Sequence, residues 1–399
     1  LKIGLIIPNP AIAGGVRRAV ESITRFLIIG AELNGETTKI VLGVNGDSEK
    51  FSDIRDRHPH QIQLRDLTFE QLTEDDSARV LKAHGMGLPK GGIGGDWAMI
   101  RDDVCDMLDC DVWILISTRV ISGDSILPLV PLRPVMLFPF DFLESYGLTK
   151  MAPSQVEGSA RSARAASVVA VSTEQTRLDA IAYIGCKEDQ ILKTPIEFHT
   201  DFHTCGTLQS DPPSPESRNY CLWVTNGAAD HKNHSRTLEA LDNAANAIPG
   251  FRCIVIGHSM TQIPGESLQM RDSREYLLRR GFISDGEYCN LLAGARFVIH
   301  SATHDNGSYV PIEAAMHGVG TACADYPPMR EIAESIGLTC EWFDPKSAKD
   351  IHRALIASWA NPAADQDQQN RLLGLSLSDI SQVWYSTVQP RLASLVSKR

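Results

Sequence analysis

The chain opens with a short apolar run, "KIGLIIP", then a turn-rich "NPAIAGG", then "VRRAVESITRFLIIGAEL", where Val16, Val20, Ile23, Phe26 and Leu27 recur at helical spacing. That succession predicts a strand followed by a helix. The strand signal returns in "TKIVLGV", "VWILIS" and "PVMLFPF", with "DDSARVLKAH" and "GDWAMIRDDVCDML" predicted as helices between them. A further strand, "SVVAVST", precedes the helix "EQTRLDAIAYIG". Apolar runs of this length, alternating with helices, fit strands buried on both faces of a parallel sheet.

Between residues 197 and 218 the periodic apolar positions give way to Pro, Ser and polar residues, "FHTDFHTCGTLQSDPPSPESR" within it, which predicts a linker. A second alternation follows: "YCLWVT", "SRTLEALDNAANA", "RCIVIGH", "DGEYCNLLAGA", "FVIHS" and "GTACAD". A polar stretch, "NPAADQDQQNR", leads to a final helical pattern, "SLSDISQVWYSTVQPRLASLV". The expected organisation is a Rossmann-like domain over 1–196, the linker over 197–218, a second Rossmann-like domain over 219–375 and a terminal helix over 376–399. Ligands of open α/β sheets bind beyond the carboxyl ends of the strands, so the informative residues belong in the loops there.

Composition narrows the function classes. The 399 residues exceed what one core normally serves, and 43% hydrophobic with 22% charged residues is the balance of a globular protein. A formal net charge of −11 argues against a nucleic-acid binder, which needs a basic face for phosphates. No apolar run of about 18 residues predicts a membrane span, and the first residues read as a buried strand rather than a signal peptide. Nine cysteines without paired spacing suit reduced thiols in a cytoplasmic protein.

Three loops carry candidate chemistry. In "NPAIAGGVRR", Gly14 and Gly15 let backbone amides approach a diphosphate at a helix N-terminus, or make an ordinary turn; the GxGxxG dinucleotide pattern is absent. In "VTNGAADHKNHSRTLEAL", Asn226 and Lys232 follow a strand beside His231 and His234. Lys232 is either a solvated lysine or a cation for a departing phosphate. The third, "HSATHDNGSYVPIEAAMHG", runs Asp305, Asn306, Gly307 and Ser308 into a helix expected to open at Pro311, with Glu313 in its first turn. A carboxylate there can start a helix or accept two hydrogen bonds from a ribose diol. Asp141 in "FPFDF" caps a turn or orients an acceptor hydroxyl. The glycine-rich "HGMGLPKGGIGGDW", with His84, Lys90, Asp96 and Trp97, is an acceptor-side loop or a plain connection. His199, His203 and Cys205 match no closed zinc spacing, so no metal site is assigned.

The run from Gly281 to Ile332 resembles the donor-binding region of retaining glycosyltransferases of the GT-B fold, family 4, in its Ser-Asp-Gly-Glu helix start and its acidic pair eight residues apart. "WVTNGAADHKNH" resembles that family's phosphate-binding loop and "AGGVRR" its first glycine loop. The resemblance implies two Rossmann-like domains facing each other across a cleft, with the C-terminal helix returning to the first. It implies a ribose-holding role for Glu313, a sugar contact for Asp305 and leaving-group stabilisation by Lys232, with Asn226 standing where many members carry arginine. Gly14, Gly15, Asn306, Gly307 and Ser308 would complete the donor site, without metal or other cofactor. The implied activity is hexose transfer with retention from a GDP- or UDP-linked sugar, GDP-mannose being favoured, to a saccharide or lipid-linked saccharide in polysaccharide or O-antigen synthesis. A sugar-nucleotide epimerase of the same fold, or a non-catalytic partner subunit, is the alternative. Arg17, Arg18, Arg161 and Arg164 are solvated residues or candidates for peripheral contact with the inner face of a membrane.

Overall fold

A computed structural model describes residues 1–9, 15–72, 97–122, 125–148, 151–196, 198, 218–225, 230–257, 273–281, 283–362 and 366–397. The chain divides into two compact units: Leu1–Ser145, Met151–Phe198 and Ser378–Arg399 form one, and Tyr146–Lys150 with His199–Leu377 the other.

The first unit is built on β1 (Lys2–Ile7), β2 (Lys39–Asn45), β3 (Ile62–Gln71), β4 (Ala98–Arg101) and β5 (Val112–Ile116), with a small antiparallel pair, β6 (Ile121–Ser122) and β7 (Ser125–Ile126), then β8 (Val135–Phe138), β9 (Val168–Val171) and β10 (Ile191–Lys193). The sheet order is β10-β9-β8-β5-β1-β2-β3-β4. β1 pairs in parallel with β2 on one side, Ile3 opposite Ile40, and with β5 on the other, Ile3 opposite Val112. Strand order therefore reverses between β1 and β5. The helices α1 (Gly15–Leu33), α2 (Ser52–Arg57), α3 (Pro153–Ala165) and α4 (Glu174–Asp179) connect these strands. Leu5, Ile6, Ile114 and Leu137 are fully or almost fully buried, as strands covered on both faces require.

The second unit alternates β11 (Cys221–Val224), α5 (His234–Ala247), β12 (Cys253–Ile256), β13 (Leu277–Arg280), α6 (Asp285–Gly294), β14 (Phe297–His300), α7 (Tyr309–Met316), β15 (Gly320–Ala324), α8 (Pro327–Ile336), β16 (Glu341–Phe343), α9 (Ala348–Ala360) and α10 (Gln366–Gly374). Its order is β13-β12-β11-β14-β15-β16, and every pairing is parallel. The order reverses between β11 and β14, where Cys221 stands opposite Phe297.

The last helix, α11 (Leu377–Ser397), packs within the first unit. Trp384 is fully buried against Phe26 and Phe138, at ring-centroid distances of 5.6 and 6.0 Å. Tyr385 crosses α1 at Gly30, where a Cβ would lie 2.3 Å from the tyrosine Cβ, so only glycine admits the helix this closely. The Tyr385 hydroxyl donates to Glu36 at 2.7 Å.

One expected helix is corrected, and two further elements appear where none was expected. The segment "GDWAMIRDDVCDML", expected as a helix, contains β4, which pairs antiparallel with β3, and then turns. Asp102 is the cause: its carboxylate accepts the backbone N–H groups of Val104, Cys105, Asp106 and Met107, offering them an alternative to helical bonding. β3 alternates buried and exposed positions over much of its length, the pattern of a strand with one covered face. The polar stretch after Asn361 includes a helix, α10, held by Gln368, whose Oε1 accepts from the backbone and hydroxyl of Thr339. "DDSARVLKAH" lies outside the described residues. Among the described residues no helix is long and apolar enough to cross a membrane.

Candidate active site

The loops after β11 and β14 meet where the second sheet reverses its strand order, the place at which open α/β sheets form a crevice. Among the described residues beyond β11, Asp230–Lys232 form a tight turn. It then passes through Asn233 in the left-handed conformation, at φ 61°, before α5 begins. Asparagine tolerates that conformation better than other side chains with a Cβ, and here its amide also donates to Pro345 O at 2.7 Å. The "HKNH" run thus folds into a fixed corner that sets the direction of Lys232.

The β14 loop is stapled to this corner. Ser301 Oγ accepts from Trp223 Nε1 at 3.1 Å and donates to Lys232 O at 3.3 Å. Thr303 N donates to His231 O at 2.7 Å. Lys232 Nζ then lies 2.6 Å from Asp305 Oδ2, with both side chains about one-fifth exposed. Burial works to raise the Asp305 pKa, but the adjacent Lys232 ammonium outweighs it and the carboxyl sits below its ordinary range.

Three histidines surround the pair without adding charge. Burial, reinforced by the Lys232 charge, lowers His231 and His234 to about 4; burial also lowers His300 to about 4. His234 Nε2 lies 3.0 Å from Thr225 Oγ1, and His300 Nε2 lies 2.8 Å from the Tyr326 hydroxyl. With these three imidazoles neutral, Lys232 is a charged group of this corner that can answer an incoming phosphate.

After Asp305 the loop is shaped by its small residues. Asp305 Oδ1 accepts from Asn306 N at 3.0 Å, and Gly307 adopts φ 96°, a region that disfavours any side chain. Ser308 is the N-cap of α7, its hydroxyl accepting from Val310 N at 3.3 Å. The helix opens at Tyr309, so Pro311 is its third residue and Glu313 its fifth; the first-turn placement of Glu313 is corrected by one turn because Ser308, and not a residue nearer the proline, supplies the cap. Glu313 is buried, and its Oε2 accepts from the Tyr288 hydroxyl of α6 at 2.7 Å.

The second unit therefore brings Lys232, Asp305, Asn306, Gly307 and Ser308 into one pair of loops, with Glu313 on the helix that follows. Asp141 and Gly15 belong to the first unit. Gly15 opens α1. Asp141 follows β8 and accepts from Leu143 N at 3.2 Å, the turn-capping contact. Nearby, the buried carboxylate of Glu144 faces Arg119 Nη2 at 3.6 Å, a pair that no local sequence pattern marks. Gly14, Asn226, His84, Lys90, Asp96, His199, His203 and Cys205 lie outside the described residues. Trp97 lies under the Arg161 guanidinium at 5.2 Å. Arg17 pairs with Asp53 and Arg164 with Glu157, so these two arginines are engaged within the protein. Among the described residues no group of three or more His, Cys, Asp or Glu side chains is arranged to hold a metal ion.

No protein-family model matches the chain, and no curated protein matches its sequence. Solved structures do match its fold. HepE of Anabaena in complex with UDP-glucose superposes with a TM-score of 0.63 at 13% identity, covering 100% of both chains. WaaG, a glycosyltransferase involved in lipopolysaccharide biosynthesis, gives 0.56 at 12% identity over 99% of this chain and 98% of its own. The "putative UDP-N-acetylglucosamine 2-epimerase" of Listeria monocytogenes gives 0.53 at 11% over 100% and 97%. Identities this low speak for architecture alone. Two Rossmann-like units, each reversing its strand order beside its first strand, with the last helix folded back onto the first unit, are the GT-B fold, and this chain has it.

Proposed function

We propose that the chain is a glycosyltransferase that moves a hexose from a nucleotide-diphosphate sugar to a hydroxyl of a saccharide or lipid-linked saccharide. The observation that carries this reading is the Lys232–Asp305 pair, set at 2.6 Å where β11 and β14 end side by side. When the bond between the anomeric carbon and the diphosphate breaks, negative charge builds on the leaving phosphate. A lysine ammonium held in a partly buried corner is worth more to that charge than one in water. Asp305 directs the ammonium in the resting site and faces the sugar when the diphosphate arrives. Glu313 accepts the ribose hydroxyls. Transfer with retention, and without a metal, belongs to the same proposal, with Lys232 and loop amides as the electrophilic groups.

The UDP-glucose held by HepE makes UDP the first nucleotide to test, and the resemblance of the donor region adds GDP. A surface-polysaccharide acceptor is the class to screen first, in the cytoplasm where nucleotide sugars are found. Calorimetric titration with UDP, GDP, ADP and TDP, repeated on Glu313→Gln, tests the reading. Tight binding of one nucleotide, weakened at least tenfold in the variant, supports it; binding of none turns the reading to a non-catalytic partner subunit. The epimerase-like fold match supplies a second reading, which turnover of a nucleotide sugar with no acceptor present would favour.

A further inference from the structure

We infer that Tyr288 is a positioning residue for Glu313, fixing the carboxylate that reads the ribose of the donor; this rests on the donor-site reading of Glu313 given above. The two side chains come from different helices, α6 and α7, and meet through a 2.7 Å hydrogen bond from the phenol to Glu313 Oε2. Tyr288 is 4% exposed and Glu313 5%. A buried carboxylate needs donors, and a phenol is an unusual one to find built into a helix that otherwise presents Cys289 and Leu292 to the core.

The tyrosine ring is locked where it stands. It belongs to the apolar cluster of Leu222, Ile254, Leu292, Val298 and Ala314, and this packing fixes the direction of its hydroxyl. The phenol holds Oε2 of the Glu313 carboxyl group. The hydrogen bond thereby sets the plane of the Glu313 carboxylate before any ligand arrives. A second contact steadies the same turn of helix: His317 Nδ1 lies 2.9 Å from Glu313 O. Orientation fixed in advance matters most for a bidentate grip on two vicinal hydroxyls, where a rotated carboxylate can reach only one of them.

The consequence is a specific dependence of ribose recognition on a residue that need not touch the nucleotide. Calorimetric titrations of the parent protein, Tyr288→Phe, Glu313→Gln and the double variant with UDP, 2′-deoxy-UDP, GDP and 2′-deoxy-GDP test it. Tyr288→Phe keeps the ring in the core and removes only the hydroxyl. We expect it to weaken binding of the preferred ribonucleotide about tenfold, equivalent to about 1.4 kcal/mol, and to narrow the preference for ribose over 2′-deoxyribose. In the Glu313→Gln background the same change should add little. Unchanged affinity in Tyr288→Phe overturns the inference, as does an equal loss for ribo- and deoxynucleotides, which marks a packing role; either result leaves nucleotide binding by the parent intact. A parent protein that binds none of the four overturns the donor-site reading and this inference with it.

Discussion

Lys232 and Asp305 are 73 residues apart in the chain and 2.6 Å apart in space. Each comes from the loop after one of two adjacent parallel strands, and their contact closes the gap between those loops. The pair is a resting arrangement that a diphosphate would have to share. Asp305→Asn keeps the shape and removes the charge that competes for the ammonium. Nucleotide affinity should therefore hold or improve, while turnover falls roughly tenfold to a hundredfold, the weight of one charge-assisted hydrogen bond. Steady-state kinetics beside calorimetry would show it; parental turnover in Asp305→Asn would remove Asp305 from the reaction.

Gly307 is required twice over. Its φ of 96° disfavours a side chain, and a Cβ there would lie 2.0 Å from Ile332 Cδ1 on α8. The isoleucine tip can shift, whereas the backbone strain stays. Gly307→Ala should destabilise the second unit by about 1–3 kcal/mol. Adding Ile332→Val should recover only the steric part, a division that thermal denaturation of both variants measures.

Acid should weaken the protein through its buried histidines. His231, His234 and His300 are held near 4 by burial, against an ordinary value of about 6.5. As pH falls below about 6.5 the unfolded chain takes up protons that the folded rings refuse, so protons favour unfolding. The stabilisation is complete above about pH 6.5 and is lost progressively as pH falls to 4, at roughly 2–3 kcal/mol per ring. Denaturation midpoints measured between pH 7.5 and 4.5 should drop over that window, and less steeply in His300→Gln. A flat profile would show that these rings are not buried neutral.

Much of this was legible in one dimension because it depends on local periodicity. The runs "KIGLII", "VWILI" and "FVIH" are apolar without alternation, which fits strands covered on both faces, and each is a central strand. Helix α11 was legible from its spacing for the same reason. The segment from Trp97 to Leu108 was not, because one carboxylate, Asp102, gathers four backbone amides and competes with the helix that the apolar spacing suggests.

The sequence by itself determined that two α/β units alternate along the chain and which loops carry polar chemistry, since strand runs, glycine turns and a capping serine act over a few residues. Only the tertiary structure decided which of those residues meet. The partnerships of Lys232 with Asp305, of Tyr288 with Glu313 and of Trp384 with Phe26 and Phe138 join residues 25 to 358 positions apart. Strand order and helix packing set such distances, and no local pattern encodes them. The same packing removes the histidines from water and so fixes their charge, a property of the folded interior that the chain acquires only on folding.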